Sequence, residues 1–135
     1  MANEKKKILL VDDDEMHLAT AELILKDAYE IHRMKSGQEA LEYVLNNEFV
    51  PDIMLFDIVM PEMDGWELLK RIRKMGSLKD IPVVFLTAVV DKAETQRAQK
   101  MGVADYITKP FNMVELKTRI NKVLEGYRMK VEKKP

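Results

Sequence analysis

Five residues in this chain combine side-chain type and spacing suited to phosphoryl chemistry: Asp12, Asp13, Asp57, Thr87 and Lys109. Each stands at the end of a short apolar run. Asp12 and Asp13 follow "KILLV", Asp57 follows "DIMLF", Thr87 follows "PVVFL" and Lys109 follows "ADYIT". If those runs are strands of one parallel sheet, three carboxylates, a hydroxyl and an ammonium point into one crevice. Like charges about 4 Å apart cost several kcal/mol even at an effective dielectric of about 20, so the acids require a cation or partial protonation. A hard divalent ion with few protein ligands, and room for water and phosphate oxygens, describes Mg2+ rather than Ca2+; Mn2+ can substitute. Metal, lysine and hydroxyl grouped around a nucleophilic carboxylate form a phosphoryl-transfer site. An isolated acidic run has a plainer reading, a solvated loop with an N-cap, and Asp14 fits that role. The second acid at a neighbouring strand end lifts Asp12, Asp13 and Asp57 out of it.

The elements that must position these residues alternate strictly. Apolar runs give β1 (7–11), β2 (29–34), β3 (52–56), β4 (82–86) and β5 (104–108). Segments with small or apolar residues three and four apart give α1 (15–28), α2 (37–47), α3 (64–75) and α4 (92–102), with α5 starting near Phe111 and running to Tyr127. Such alternation implies an α/β fold, a parallel sheet with helices on both faces. The first, third and fourth runs are continuously apolar, as strands buried on both sides are. The second and fifth carry Glu30, His32, Arg33, Asp105 and Thr108, which suits solvent-reached edges. The expected order is therefore 2-1-3-4-5, doubly wound, with a ligand crevice at the carboxyl ends of β1 and β3, where the winding reverses.

Composition limits the classes. The chain has 135 residues, 47% of them hydrophobic, enough for one domain with its own core. It has no cysteine, so disulfide and thiolate-metal chemistry are excluded, and a cytoplasmic setting is expected. A net charge of −1 argues against a basic nucleic-acid surface. The apolar run after the N-terminal lysines is too short for a signal peptide or membrane span. We expect an N-terminal tail at 1–6, the domain at 7–128 and a charged tail at 129–135, with no DNA-binding pattern after it.

"LLVDDDE", "LFDIVMPEMDGWELL", "FLTA" and "YITKPF" resemble, in order and spacing, the motifs of the receiver domain of two-component response regulators, over about residues 7–125. The likeness is to single-domain chemotaxis regulators. It implies a flavodoxin-like (βα)5 fold, Asp57 as phosphoacceptor, and a Mg2+ site formed by Asp12, Asp13, Asp57 and the backbone carbonyl of Val59. It also implies Lys109 paired with phosphate and carboxylate, Thr87 as switch hydroxyl, Tyr106 as switch aromatic, and a cis Lys109–Pro110 bond. The donor would be a sensor histidine kinase, a histidine phosphotransfer protein or a small phosphodonor. The output would be a downstream protein bound at the α4-β5-α5 face, by a monomer or a phosphorylation-dependent dimer. The domain would catalyse only its own phosphorylation and dephosphorylation.

Other residues take plainer assignments. Pro61 and Gly65 mark a turn and Asp64 an N-cap. His17 and His32 lack ligand spacing and are assigned to structure or surface, with His17, Met16 and Ala19 on the kinase-docking face that the resemblance implies. The ten methionines are expected to fill core gaps, with Met60 or Met63 exposed to help a partner surface adapt, and Trp66 is expected as a fluorescence reporter. Val59 and Val89, each two residues past a site residue, leave no polar side chain there to orient an attacking water. A haloacid-dehalogenase-type phosphatase, with Asp12 as nucleophile, is the rival reading of "DDD". Against it, Met16 stands where that family has threonine, and no acidic pair follows Lys109. A docking-only receiver is a third reading, which the intact acid set opposes.

Overall fold

The computed structural model describes residues 4–127. Its elements are β1 (Lys6–Val11), α1 (Glu15–Leu25), β2 (Tyr29–Met34), α2 (Gly37–Asn46), β3 (Ile53–Phe56), α3 (Gly65–Ile72), β4 (Val83–Thr87), α4 (Lys92–Lys100), β5 (Asp105–Thr108) and α5 (Met113–Leu124). The strands form one parallel sheet in the order 2-1-3-4-5. Each helix starts at a side chain whose oxygen accepts a first-turn backbone N–H: Asp14, Ser36, Asp64, Asp91 and Asn112. These caps satisfy donors that a helix cannot satisfy internally.

Alternation along the central strands divides the core. Leu9, Val11, Met54, Phe56 and Phe85 face the layer that includes Leu41, Leu68, Ile72 and Ala98, on α2, α3 and α4. Ile8, Leu10, Ile53, Leu55 and Val84 face Leu18, Leu25, Leu116 and Ile120 of α1 and α5. Successive side chains of a strand point to opposite faces. The runs that read as continuously apolar therefore do so because both faces are covered.

Four expectations are corrected. Asp105 does not meet solvent at the sheet edge: it is 3% exposed, and Arg119 of α5 donates to it from Nε at 2.9 Å and from Nη2 at 2.7 Å. Met60 and Met63 are core residues, 7% and 8% exposed, so neither offers a partner surface. The α5 helix ends at Leu124, leaving Tyr127 beyond it, past Gly126 with φ +107°. The helices otherwise stop short of their expected ends by one to three residues; α4, for example, ends before Gly102, whose φ is +74°. Segments 1–3 and 129–135 of the expected tails lie outside the described residues.

The α4 helix has one buried side chain, Ala98. Its docking relies on Trp66 of α3, which donates Nε1–H to Glu94 at 2.6 Å and carries the Arg97 guanidinium 4.1 Å from its ring centroid. Trp66 is itself 6% exposed and packs edge-on to Phe85. Of the described residues of α4 only Ala98 is buried, so apolar burial anchors this helix weakly.

Removing Arg119 strands a buried carboxylate, whereas replacing both partners with apolar groups does not. We expect Arg119→Met to cost about 2–4 kcal/mol in urea unfolding and the double variant Arg119→Met/Asp105→Leu to recover most of it. A single variant as stable as wild type contradicts the buried-pair assignment.

Candidate functional site

The sheet register builds the site. Val11 pairs with Phe56, so Asp12 and Asp57 leave adjacent strands at the same level, with Asp57 N–H donating to Val11 O at 2.9 Å. Thr108 pairs with Thr87 in the same way, and Lys109 N–H donates to Thr87 O at 2.8 Å. Behind Asp57 the chain turns through Pro61 and enters α3 at Gly65. A Cβ on Gly65 would lie 2.5 Å from Asp57 O and 2.9 Å from Ile58 Cα, so only glycine allows α3 to start against the backbone that carries Asp57.

The side chain of Lys109, only 8% exposed, closes the crevice. Its Nζ lies 2.5 Å from Asp12 Oδ2 and 3.2 Å from Asp57 Oδ2. Asp12 uses its other oxygen to accept the Asp14 backbone N–H at 2.9 Å. Burial raises the Asp12 carboxyl above its ordinary value of 3.8, and the Lys109 hydrogen bond opposes but does not cancel that effect. The Asp57 charge is the smallest cause of that rise; in formal charge one ammonium faces two carboxylates.

The structure sorts the other sequence candidates. Asp14 is the N-cap of α1, accepting from Met16 and His17 backbone N–H groups, which hold its carboxyl below the usual range. Asp13 is exposed on the loop beside Asp12. Val59 has an exposed side chain on the loop after Asp57. The Lys109–Pro110 bond is cis. Thr87 and Tyr106 converge on Val89: Thr87 Oγ1 accepts its N–H at 3.3 Å, and Tyr106 donates its hydroxyl to its carbonyl at 2.8 Å. Tyr106 is 6% exposed, in the inward position, with its ring edge-on to Phe85. Burial, with Glu94 nearby, pushes its hydroxyl up to about 12, so it remains a donor at neutral pH.

His17, assigned to structure or surface from the sequence, is exposed but also reaches the crevice. Its Nδ1 is 2.8 Å from Lys109 Nζ and 3.7 Å from Asp12 Oδ2. Since an ammonium only donates, Nδ1 accepts and Nε2 carries the proton. The signal was present in the helix start. Side chains in a first turn tilt back toward the helix N-terminus, and α1 begins at Glu15, so position 17 leans over the β1–α1 loop.

Asp12, His17 and Asp57 each offer a ligand atom, all within 4.8 Å of one another. Carboxylate oxygens at a crevice whose charge one lysine does not balance fit a hard divalent ion. Beside them His17, Thr20, Ala88, Lys109, Pro110 and Phe111 line an open cavity of about 340 Å³.

A doubly wound parallel sheet in this strand order, with acids and a lysine at its switch point, is of the flavodoxin-like class, whose ligand crevice opens there. Residues 8–121 match the family model of the response regulator receiver domain, and the chain belongs to that family. It is 36% identical over 132 residues to the transcriptional regulatory protein RprY of Bacteroides fragilis, covering 97% of this chain and 54% of that one. Chemotaxis protein CheY4 of Vibrio cholerae superposes with a TM-score of 0.80 at 30% identity, covering 88% of this chain and 98% of that one. A CheY-like receiver domain protein of Methanospirillum hungatei gives 0.80 at 31%, covering 90% and 95%. The chain spans about half, or less, of the length of the curated relatives it matches. No helix among the described residues is long and apolar enough to cross a membrane.

A carboxyl raised on folding favours the fold when protonated; that contribution is complete below its unfolded value and is lost as pH rises through the folded one. With divalent ions chelated, stability from Asp12 therefore falls as pH rises above 3.8. We expect Asp12→Asn to flatten this part of the stability profile and to raise the unfolding midpoint near neutral pH by a few degrees. An identical profile in the variant contradicts the desolvation assignment.

Proposed function

We propose that this domain accepts a phosphoryl group on Asp57 and converts the new charge into a change of the α4-β5-α5 surface. The observation that carries the reading is the Lys109 ammonium between Asp12 and Asp57, at the ends of neighbouring parallel strands. The donor is a phosphohistidine of a sensor kinase or phosphotransfer protein, or a small phosphodonor. An Asp57 carboxylate oxygen attacks phosphorus as the bond to the donor breaks, and the donor group departs with the electron pair. Asp12, Asp13, Asp57 and the Val59 carbonyl would hold Mg2+, or Mn2+, which neutralises charge on the phosphoryl oxygens. Lys109 stabilises the same oxygens from the other side. Water later hydrolyses the acyl phosphate, returning the Asp57 carboxylate.

The switch follows from donors and acceptors. Thr87 Oγ1 already accepts the Val89 N–H, so its own proton is available to a phosphoryl oxygen. Drawing Thr87 toward Asp57 moves the Val89 segment, and Tyr106, already inward and bonded to the Val89 carbonyl, is held there. Phosphorylation then favours the buried Tyr106 arrangement over alternatives, a population shift that α4 can follow because it is weakly anchored. Trp66, bonded to α4, is placed to report it.

Incubation with acetyl phosphate and Mg2+ should add the mass of one phosphoryl group, mapped to Asp57 and absent from Asp57→Asn. Its absence from wild type rejects the reading; turnover of a generic phosphate ester that Asp12→Asn abolishes and Asp57→Asn retains supports the phosphatase alternative.

With apolar Val59 and Val89 flanking the acceptor, the phosphorylated state is expected to be long-lived. Val59→Asn and Val89→Glu should each shorten its lifetime by roughly tenfold, less than the about 10²–10⁴-fold of direct proton transfer because each only positions water. Equal lifetimes, followed by intact mass after donor removal, contradict this.

A further inference from the structure

We infer that His17 makes this crevice a mixed nitrogen–oxygen site, one that takes Zn2+ in preference to Mg2+ through His17 Nδ1, Asp12 and Asp57. The inference rests on the proposed phosphoacceptor reading of this pocket and adds an occupant that competes with Lys109 for its donor atoms. Three lone pairs from three elements already converge on a single cationic atom. Lys109 Nζ lies 2.5 Å from Asp12 Oδ2, 2.8 Å from His17 Nδ1 and 3.2 Å from Asp57 Oδ2. The ligand atoms of the three residues lie within 4.8 Å of one another, whereas donors about 2.1 Å from one ion stand about 3–4 Å apart, so closure needs only a small adjustment.

The imidazole decides the ion. Mg2+ keeps to oxygen ligands and water, and a nitrogen donor adds little to its binding. Imidazole suits Zn2+, and carboxylate sites also rank first-row ions in favour of zinc. His17 Nδ1 is the accepting nitrogen, so its lone pair faces the crevice without any change of tautomer. The ring is 47% exposed on the first turn of α1, so it can move to an ion without disturbing the core. An ion at this point takes the donor atoms that hold Lys109, so zinc and the ammonium exclude each other.

The test is calorimetric titration of the full chain with Zn2+ alone and with Mg2+ alone, in wild type, His17→Ala and His32→Gln. Loss even of an outer-shell partner costs about 10–100-fold in metal affinity. We therefore expect His17→Ala to weaken Zn2+ by about tenfold or more and Mg2+ by much less. His32→Gln, which removes the other imidazole, should keep the tight zinc site, and Co2+ bound to wild type should lose its nitrogen-ligand visible spectrum in His17→Ala. Unchanged Zn2+ affinity in His17→Ala, an equal fall for both ions, or loss of the site in His32→Gln overturns the inference. Acetyl phosphate labelling of wild type is measured separately: its failure strikes the phosphoacceptor reading, while the zinc results strike this one alone.

Discussion

The structure depends on one constraint, the placing of two carboxylates at the same level on adjacent parallel strands with a single ammonium between them. Asp12 and Asp57 follow the paired residues Val11 and Phe56, so the register that buries the sheet also forces the acids together. Neither can retreat, because the strands behind them are fully buried on both faces. The repulsion must then be met within the crevice. Lys109 meets it with one ammonium, while burial raises the Asp12 carboxyl against the lysine's pull. On the proposed reading, the second carboxylate would favour a further cation, and a phosphoryl group would arrive with one.

The surrounding fold supports that arrangement to different degrees on its two sides. Around Asp57 it is rigid: Gly65 lets α3 abut the Asp57 carbonyl, and Gly65 N–H donates to Ile58 O at 2.7 Å. Beyond Thr87 it is loose. The loop into α4 is tied through Val89 to two hydroxyls, and α4 itself contributes only Ala98 to the core. Local stability of this uneven kind places mobility where few apolar contacts oppose it. On the proposed reading, charge would be received on the stiff side and have its mechanical effect on the soft one.

The sequence made the fold and most of the crevice legible because both follow from short-range patterns. Apolar runs ending in Asp, Thr or Lys, alternating with helical periods, give strand order and site together. What escaped depends on packing between distant elements. Asp105 looked like an edge residue because Arg119, its partner, lies on another element fourteen positions on. Met60 and Met63 flank acids and a proline, so nothing local tells that the loop folds them into the core; Gly37, whose added Cβ would lie 2.7 Å from Met63 Sδ, is what makes room. His17 lacked ligand spacing because its companions come from the ends of three strands, and only the tilt of a first helical turn hints at where it leans. Position 106 was legible as an aromatic at a fixed offset from Lys109, while its bond to the Val89 carbonyl was not.

The energies at the switch are small enough for a phosphoryl group to control. The inward Tyr106 is held by ring packing and one neutral hydrogen bond, a bond worth about 0.5–1.5 kcal/mol net. A hydroxyl donating to an anionic oxygen is roughly twice as strong as a neutral pair. The pull on Thr87 and the bond that ties Tyr106 to Val89 act on the same backbone residue, so the first would reinforce the inward Tyr106 through the second. Moving a two-state equilibrium from one extreme to the other needs about 5.5 kcal/mol of differential binding. One charge-assisted bond does not supply that, but on the proposed reading it would act together with Lys109 and a bound metal on the same oxygens. The aromatic contacts from Tyr106 to Phe85 and from Phe85 to Trp66 then meet the two polar bonds that hold α4. A helix so lightly held needs no large force to shift, and that is the physical reason a local charge change can alter a surface on the far side of the sheet edge.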